Sequence, residues 1–371
     1  MDRTWIRILI TGAIIAGSII LFYIIQYVIY RKYGLRNLAY DRWTEGTDPF
    51  EGDEIHLVEK VENNKLLPLP YLQVDSVVDP GLKFDRHVKI DIRYDQYLKS
   101  MFNLLPYMRI TRKHRIMCQK RGIYDFDMAT VCAGDLFGFE TAKENRKVKC
   151  GITVFPRLVN IERIPFPSHN YIGNFAVKRW IVEDPFIISG VREYRYGDPL
   201  NRVNWNATAR TGSLQVHKKD YSADPGFMIY LNYELDENMW DYVTDMQAIE
   251  TGISYSASIA QYAVENGIRA GFACNGGKKG NTREWIRFEA EAGNVHLYKM
   301  LEGMSGLSSR LALSFGSLLK EDVESGMTGM DIIIITAYLG KNAEEQIENL
   351  KSMGNAVEVV WLQPGKAGDV L

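Results

Sequence analysis

The residues with the strongest chemical character lie between Gly190 and Asp220. Guanidinium groups, carboxylates and aromatic rings alternate there, and the candidate site residues are Arg192, Tyr194, Gly197, Asp198, Arg202, Trp205 and Arg210. Guanidinium groups bind carboxylates or phosphates through paired hydrogen bonds and stack on aromatic rings. The segment therefore either binds an anion or an acidic partner, or forms an internal lattice that fixes the junction between two domains. The nearby carboxylates of Glu193 and Asp198 favour the lattice.

Composition and motif searches exclude several function classes. The chain has 44 basic and 46 acidic residues, so its net charge of -2 gives no indication of nucleic-acid binding. Its six histidines show no His-Glu-x-x-His pattern, its four cysteines form no Cys-x-x-Cys pair, and no Gly-x-Ser-x-Gly elbow occurs. The run Gly271–Lys278 is similar to a phosphate-binding loop but fails its spacing. We therefore predict that the protein is not an enzyme.

The segment from Ile8 to Tyr30 carries no charged side chain. It exceeds the roughly 20 apolar residues that a helix needs to cross the hydrocarbon core of a bilayer. Basic residues flank it on both sides, so the positive-inside rule does not fix its orientation. The scattered cysteines favour a reducing compartment. We predict a single-pass anchor in the cell membrane over residues 1–35, with the lipid bilayer as one partner and the soluble body in the cytoplasm.

The rest of the chain changes character twice. Residues 36–160 contain short runs of alternating polarity with Gly, Pro, Asn and Asp between them, which predicts an all-β, sandwich-like domain. Residues 161–225 are irregular and carry the Arg/Tyr/Trp-rich segment. Residues 226–371 alternate apolar strands with helices, which predicts an α/β doubly wound domain with a parallel sheet covered on both faces.

Individual elements follow from the same patterns. In the β-rich part, strands are predicted at Glu54–Val61, Tyr71–Val78, His87–Tyr94, Tyr107–Cys118, Tyr124–Cys132 and Val148–Phe155. In the last part, strands are predicted at Phe227–Leu231, Ile268–Cys274, Asp331–Thr336 and Ala356–Leu362. The predicted helices there are Trp240–Glu265, Asn294–Met304, Ser309–Glu324 and Asn342–Ser352.

The Arg/Tyr/Trp-rich segment closely resembles a motif of the bacterial domain-of-unknown-function 58 proteins. The family pattern reads R-x-Y-x-x-G-D-x-x-x-R-(apolar)-x-W-x-x-x-A-R-x-x-x-L. This chain meets it with Arg192, Tyr194, Gly197-Asp198, Arg202, Val203, Trp205, Ala209-Arg210 and Leu214. Many members carry a second basic residue where this chain has Asn201, a departure that weakens an anion-binding role. Secondary matches are Arg121–Tyr124 and Asp135–Gly138.

The resemblance implies a membrane-anchored protein whose C-terminal part is a von Willebrand factor A-like domain. It also implies a MoxR-type AAA+ ATPase as partner, because many members are encoded beside one. Such domains often bind Mg²⁺ through Asp-x-Ser-x-Ser after the first strand and Thr-Asp after a later strand, where short oxygen ligands suit a hard cation. Here Asn232 stands at the first Asp position, and Glu234 and Asp236 stand at the serine positions. Thr336 keeps the threonine of the later strand, but Ala337 replaces its Asp. We expect a degenerate site without a cofactor, with Mg²⁺ binding as the alternative.

Three functions remain as hypotheses. The first is a non-enzymatic membrane scaffold or adaptor that works with the ATPase and with other membrane proteins through its von Willebrand factor A-like domain. The second is a metal-dependent adhesion module facing the cell exterior. The third is a hydrolase with an unrecognised site, for which Asp198 is the discriminating residue.

Overall fold

In the computed structural model, the described residues are 3–85, 89–91, 96–135, 137–166, 188–195, 203–219, 226–237, 239 and 242–363. The chain divides into two compact units. One unit comprises Met1–Arg157 with Leu301–Gly306, and the other comprises Leu158–Met300 with Leu307–Leu371.

The chain begins with one long helix, α1 (Arg3–Tyr33). Its segment Ile10–Tyr33 is long and apolar enough to span a membrane, with a mean hydropathy of 2.1. Side chains from Ile10 to Ile25 are exposed on every side of the helix. Gln26 and Tyr30, in contrast, are buried. The last turns of α1 therefore belong to the core of the unit that follows.

That unit is β-rich, as predicted. Its strands are β1 (Leu38–Glu45), β2 (Glu54–Asn63), β3 (Leu69–Val78), β4 (Leu82–Phe84), β5 (Lys89–Asp91), β6 (Gln96–Leu104), β7 (Arg109–Cys118), β8 (Gly122–Asp125), β9 (Met128–Gly134), β10 (Glu140–Lys147) and β11 (Gly151–Val154). One antiparallel sheet has the order β1-β2-β7-β4, another has the order β10-β9-β3-β6-β5, and β11 pairs with β8.

The inner faces of the two larger sheets share their apolar side chains. Leu57 of β2 and Leu98 of β6 lie in one buried cluster. Val61 of β2 and Val74 of β3 lie in a second cluster, together with Tyr30 of α1. Strands that alternate between a buried and a solvated face give this sandwich-like arrangement. The predicted strand Tyr124–Cys132 was wrong as a single element, because the chain turns between β8 and β9.

Charged side chains are buried inside the β-rich unit. Glu59 on β2 is fully buried and accepts hydrogen bonds from the Tyr40 hydroxyl (2.7 Å) and from the Ser100 hydroxyl. The Nε2 atom of His114 on β7 lies 2.8 Å from the same carboxylate. Arg42 on β1 donates through Nε to the Tyr40 hydroxyl (2.8 Å), and its Nη2 lies 3.8 Å from Glu59. These residues, called the Glu59 network below, connect four strands.

The described part of the second unit contains a short 3₁₀ helix (Ile161–Arg163), two two-stranded sheets and a larger sheet. Its strands are β12 (Ile188–Glu193), β13 (Gln215–Lys219), β14 (Phe227–Leu231), β15 (Ala270–Cys274), β16 (Gly276–Lys278), β17 (Ile286–Glu291), β18 (Leu307–Leu311), β19 (Asp331–Thr336) and β20 (Ala356–Trp361). Its helices are α2 (Trp205–Thr211), α3 (Met246–Glu265), α4 (Asn294–Ser305), α5 (Phe315–Glu324) and α6 (Lys341–Ser352).

The larger sheet has the order β17-β15-β14-β19-β20. The last four strands in this order are parallel, whereas β17 runs antiparallel to β15, so the sheet is mixed rather than fully parallel. Met228 and Ile334 pack on one face against side chains of α5 and α6. On the other face α3 lies so close that a Cβ added at Gly252 would stand 2.7 Å from Leu231. Helices thus cover both faces.

Two predicted helices begin later than expected because of capping residues. The helix predicted at Trp240 begins at Met246, where the Asp245 side chain accepts hydrogen bonds from the first free N–H groups. The helix predicted at Ser309 is preceded by strand β18 and begins after Ser314, whose hydroxyl caps α5. In both cases the polar residue was read as part of the helix rather than as its start.

Candidate functional site

Three neighbouring parallel strands end at the same level. Leu231 of β14 pairs with Cys274 of β15 on one side and with Ile335 of β19 on the other. The next residue of each strand, Asn232, Asn275 or Thr336, therefore lies at the carboxyl edge of the sheet. The chain order of the parallel strands reverses beside β14, and such switch points form the ligand crevice of open α/β sheets.

The side chains of these three residues bind one another. Asn232 Nδ2 donates to Thr336 Oγ1 (3.0 Å) and to the carbonyl of Tyr338 (2.8 Å). Asn275 Nδ2 donates to Asn232 Oδ1 (3.1 Å). All three residues are fully buried. We call this set the strand-end network.

Backbone N–H groups determine which way both amides point. The N–H of Tyr233 donates to Asn275 Oδ1 (2.8 Å), and the N–H of Glu234 donates to Asn232 Oδ1 (2.9 Å). Each oxygen must therefore face a donor, which places each amide nitrogen on the opposite side. The Thr336 hydroxyl in turn donates to the Tyr338 carbonyl (2.6 Å). Every group in the centre of the network has a partner within the protein.

The two acidic candidates lie at the rim of the strand-end network. Glu234 is half-buried and accepts a hydrogen bond from the N–H of Phe315 (2.8 Å), the first residue of α5. Burial raises the pKa of Glu234 above its usual value, and the Phe315 hydrogen bond offsets part of that increase. Asp236 is exposed. The structure thus brings Asn232 and Thr336 together, with Glu234 engaged by a helix N-terminus instead.

The residues at this edge do not fit Mg²⁺. A hard cation needs several oxygen ligands directed at one point. At the centre of the strand-end network, Thr336 Oγ1 and the Tyr338 carbonyl instead face the NH₂ group of Asn232, which only donates. Among the described residues, no group of three or more His, Cys, Asp or Glu side chains is arranged to hold a metal.

The Arg/Tyr/Trp-rich segment forms two strands and a short helix in its described parts. Strand β12 carries Arg192, and β13 pairs with it in antiparallel orientation. Helix α2 is capped by the Asn204 side chain, which accepts from the N–H of Ala207 (2.9 Å). It ends at Gly212, which has the left-handed φ of 72° that favours glycine. Gly197, Asp198 and Arg202 lie outside the described residues.

The exposed position of Trp205 was not predicted. Its side chain is 68% exposed at the first turn of α2, and Arg210 on the same helix is exposed as well. A lattice that packed these two residues internally would have buried them. The described part of the segment instead presents a large aromatic side chain and a guanidinium group to solvent, a pair of residue types enriched at the centres of protein interfaces.

Sequence reasoning also missed two features that local signals could have revealed. Asn275 was assigned no role, although it directly follows a buried strand, as Asn232 does. Helix α2 was assigned to irregular structure, although Asn204 and Gly212 have the spacing of an N-cap and a C-terminal glycine.

Comparison with known proteins finds one family profile that matches part of the chain, one distant relative and several partial structural likenesses. The profile of "Protein of unknown function DUF58" matches residues 190–363. Uncharacterized protein YeaD of Bacillus subtilis (strain 168) is 20% identical over 332 residues, which are 88% of this chain and 76% of that protein. BcpA, the major pilin subunit of Bacillus cereus, is 10% identical over 33% of this chain and 41% of the pilin chain, with a TM-score of 0.25. A non-cellulosomal cohesin from Archaeoglobus fulgidus is 8% identical over 31% of this chain and 90% of the cohesin, with a TM-score of 0.23.

Proposed function

We propose that this chain, whose residues 190–363 match the DUF58 profile, is a membrane-anchored, non-enzymatic scaffold or adaptor for a MoxR-type AAA+ ATPase. In this proposal α1 is a single-pass anchor in the cell membrane and the soluble body lies in the cytoplasm. The sheet of β14, β15, β19 and β20, with its helices, acts as a von Willebrand factor A-like domain and contacts the ATPase together with the Arg/Tyr/Trp-rich segment that precedes it.

The sheet topology supports a von Willebrand factor A-like domain. Four parallel strands have helices on both faces, and the strand order reverses beside β14. Ligands of open α/β sheets bind at such reversals. The antiparallel edge strand β17 is compatible with this class, since many open α/β sheets carry one.

The observation that carries the scaffold proposal is the exposure of Trp205. A tryptophan side chain that is 68% exposed leaves a large apolar area in water. Its backbone lies in a capped helix, so that binding a partner need not order the backbone at this position. Exposed arginines at 195 and 210 lie in the same segment. These features are those of a protein-contact hot spot.

The strand-end network supports contact with a protein rather than with a cation. Its oxygen atoms already accept from amide groups inside the protein, so a divalent cation would have to displace the Asn232 amide. A partner protein requires no such displacement, because it would contact the outer side chains of the loops. This argument favours the scaffold over the metal-dependent adhesion module.

Binding between the purified, detergent-solubilised chain and the MoxR-type ATPase of the same cell tests the proposal. We expect Trp205→Ala to weaken binding by about 30-fold, since hot-spot residues contribute about 2 kcal/mol or more. Trp43→Ala is the matched control, because Trp43 is also exposed but lies in the β-rich unit. Absence of binding by the unsubstituted chain, or equal losses for both variants, would refute this role.

A further inference from the structure

The hairpin that joins β9 to β10 lies against the apolar part of α1. The Phe137 ring is 6.1 Å from the Tyr23 ring, and the Phe139 ring is 6.3 Å from it. Both phenylalanines are nevertheless mostly exposed, at 61% and 60%. The turn belongs to the Asp135–Gly138 segment that resembles the family pattern, and the scaffold role assigns it no task.

The turn is held firmly in this position. The carboxylate of Asp135 is fully buried and accepts hydrogen bonds from the N–H groups of Phe137 (2.9 Å) and Phe139 (3.0 Å). The side chain of Gln26 on α1 donates to the other oxygen of the same carboxylate (3.4 Å). Asp135 thus fixes the shape of the turn and joins it to the helix.

The length of the apolar helix places this turn relative to a bilayer. Arg7 is the last charged residue before the apolar segment. A helix rises 1.5 Å per residue, so crossing roughly 30 Å of hydrocarbon takes about 20 residues and ends near Tyr27. Tyr23 then lies roughly 6 Å inside the hydrocarbon boundary, one helical turn before its end. Phe137 and Phe139 lie beside Tyr23 and hence at the same depth.

We propose that Phe137 and Phe139 insert into the boundary between headgroups and acyl chains of the leaflet that faces the soluble body, as a second membrane contact beside α1. The occupant of this aromatic surface is the lipid bilayer, because the surface is continuous with the exposed apolar side chains of α1. Aromatic side chains are enriched at this level of membrane proteins. The inference rests on the proposed anchoring by α1.

Spin labelling of the full chain in phosphatidylcholine vesicles tests the depth of the turn. A nitroxide is attached at Phe137→Cys or Phe139→Cys, and its collisions with oxygen are compared with its collisions with a water-soluble nickel chelate. We expect the nitroxide to collide more often with oxygen than with the nickel chelate at both positions. The ratio should correspond to a depth of about 5–10 Å in the bilayer. Met128→Cys is the control, since Met128 is exposed at the opposite end of β9, roughly 20 Å away. There the nickel chelate should dominate.

A nitroxide at Ile15→Cys tests the anchoring by α1 separately from the insertion of Phe137 and Phe139. Ile15 is exposed near the middle of the apolar helix and should give the deepest oxygen signal. A deep signal at Ile15 with water-like signals at Phe137 and Phe139 would overturn the inserted turn alone. A water-like signal at Ile15 would overturn the anchor and the turn together. The unsubstituted chain measures background labelling, which should be low because its four cysteines are buried.

Discussion

The amide group of Asn232 shows how a single atom decides what a site binds. Its nitrogen points toward Thr336 and the Tyr338 carbonyl because its oxygen is held by the Glu234 N–H. Aspartate would place a second oxygen there, as a cation site requires. The sequence predicted that this position was degenerate, but only the structure shows that the amide nitrogen occupies the centre of the strand-end network.

Asn232→Asp should destabilise the protein. The substitution removes two donated hydrogen bonds and brings a carboxylate oxygen against a buried carbonyl, at a cost of about 1–3 kcal/mol or more in the free energy of unfolding. Chemical denaturation in EDTA measures this loss. Asn294→Asp makes the same chemical change at the exposed start of α4 and should be nearly neutral. Mg²⁺ should not stabilise Asn232→Asp more than it stabilises the unsubstituted chain. If it does, the carboxyl edge of the sheet retains a cation site.

Glu234 should make stability fall as pH rises. Its folded-state pKa is raised by burial, so between the unfolded pKa and the higher folded pKa the native state binds more protons than the unfolded state. The favourable contribution is complete below the unfolded pKa and is lost as pH increases through the folded pKa. Glu234→Gln keeps an acceptor for Phe315 and should remove this dependence, as shown by melting temperature against pH. The same change at exposed Glu237 serves as control, and identical pH profiles for both variants would contradict the assignment.

Among elements, apolar strands were predicted best and short polar elements worst. Strand β19 has the predicted bounds Asp331–Thr336, because a continuous apolar run has few alternative structures. Strand β18 and helix α2 were missed, since their side chains are mixed and tertiary pairing determines their conformation. The Glu59 network was also missed, because a charged residue in an alternating strand normally indicates the solvated face.

Glu59→Gln should be strongly destabilising at neutral pH. Burial alone would raise the pKa of Glu59, but hydrogen bonds from His114 and Ser100, with the charge of Arg42, lower it below its usual value. The carboxylate therefore stabilises the native state above the unfolded pKa, and this contribution is lost as pH falls through the folded pKa. Removing one partner of a buried ion pair costs about 3–5 kcal/mol.

Glu54→Gln on the same strand is the control for this variant. Glu54 is exposed and pairs with Arg115 at the surface, where such pairs contribute about 0–1 kcal/mol. Urea denaturation of both variants compares the two environments. Equal losses in the free energy of unfolding would mean that the Glu59 network stabilises the four strands no more than a surface ion pair does.

The apolar helix, the β-rich region and the likeness of residues 190–363 to the DUF58 profile were predictable from sequence, because each depends on a long pattern rather than on one residue. The role of the motif was less predictable. Sequence spacing placed arginines beside carboxylates, yet exposure depends on the packing of distant segments, and Trp205 proved exposed. The side of the membrane on which the body lies is a prediction that requires its own experiment.

A cytoplasmic body predicts that Lys320→Cys reacts with a membrane-impermeant maleimide only after the cells are permeabilised. Lys320 lies on α5 with its side chain 61% exposed, so the introduced thiol is accessible in the folded protein. The native Cys274 is unsuitable as a reporter because it is buried. Labelling in intact cells would place the body outside and exclude a cytoplasmic ATPase as its partner.

The burial of Tyr30 fixes the orientation of α1 relative to the β-rich unit. Tyr30 lies in one buried cluster with Leu38, Leu72 and other apolar side chains of the β-rich unit. One helical turn earlier, the Gln26 side chain donates a hydrogen bond to Asp135. The C-terminal end of α1 is therefore fixed in the β-rich unit by packing and hydrogen bonding, and is not joined to it by a flexible linker. In the proposed membrane-anchored state, the fold therefore sets the height of the β-rich unit above the lipid and the tilt of α1. A fragment cut at Gly34 would lose part of the buried core of this unit.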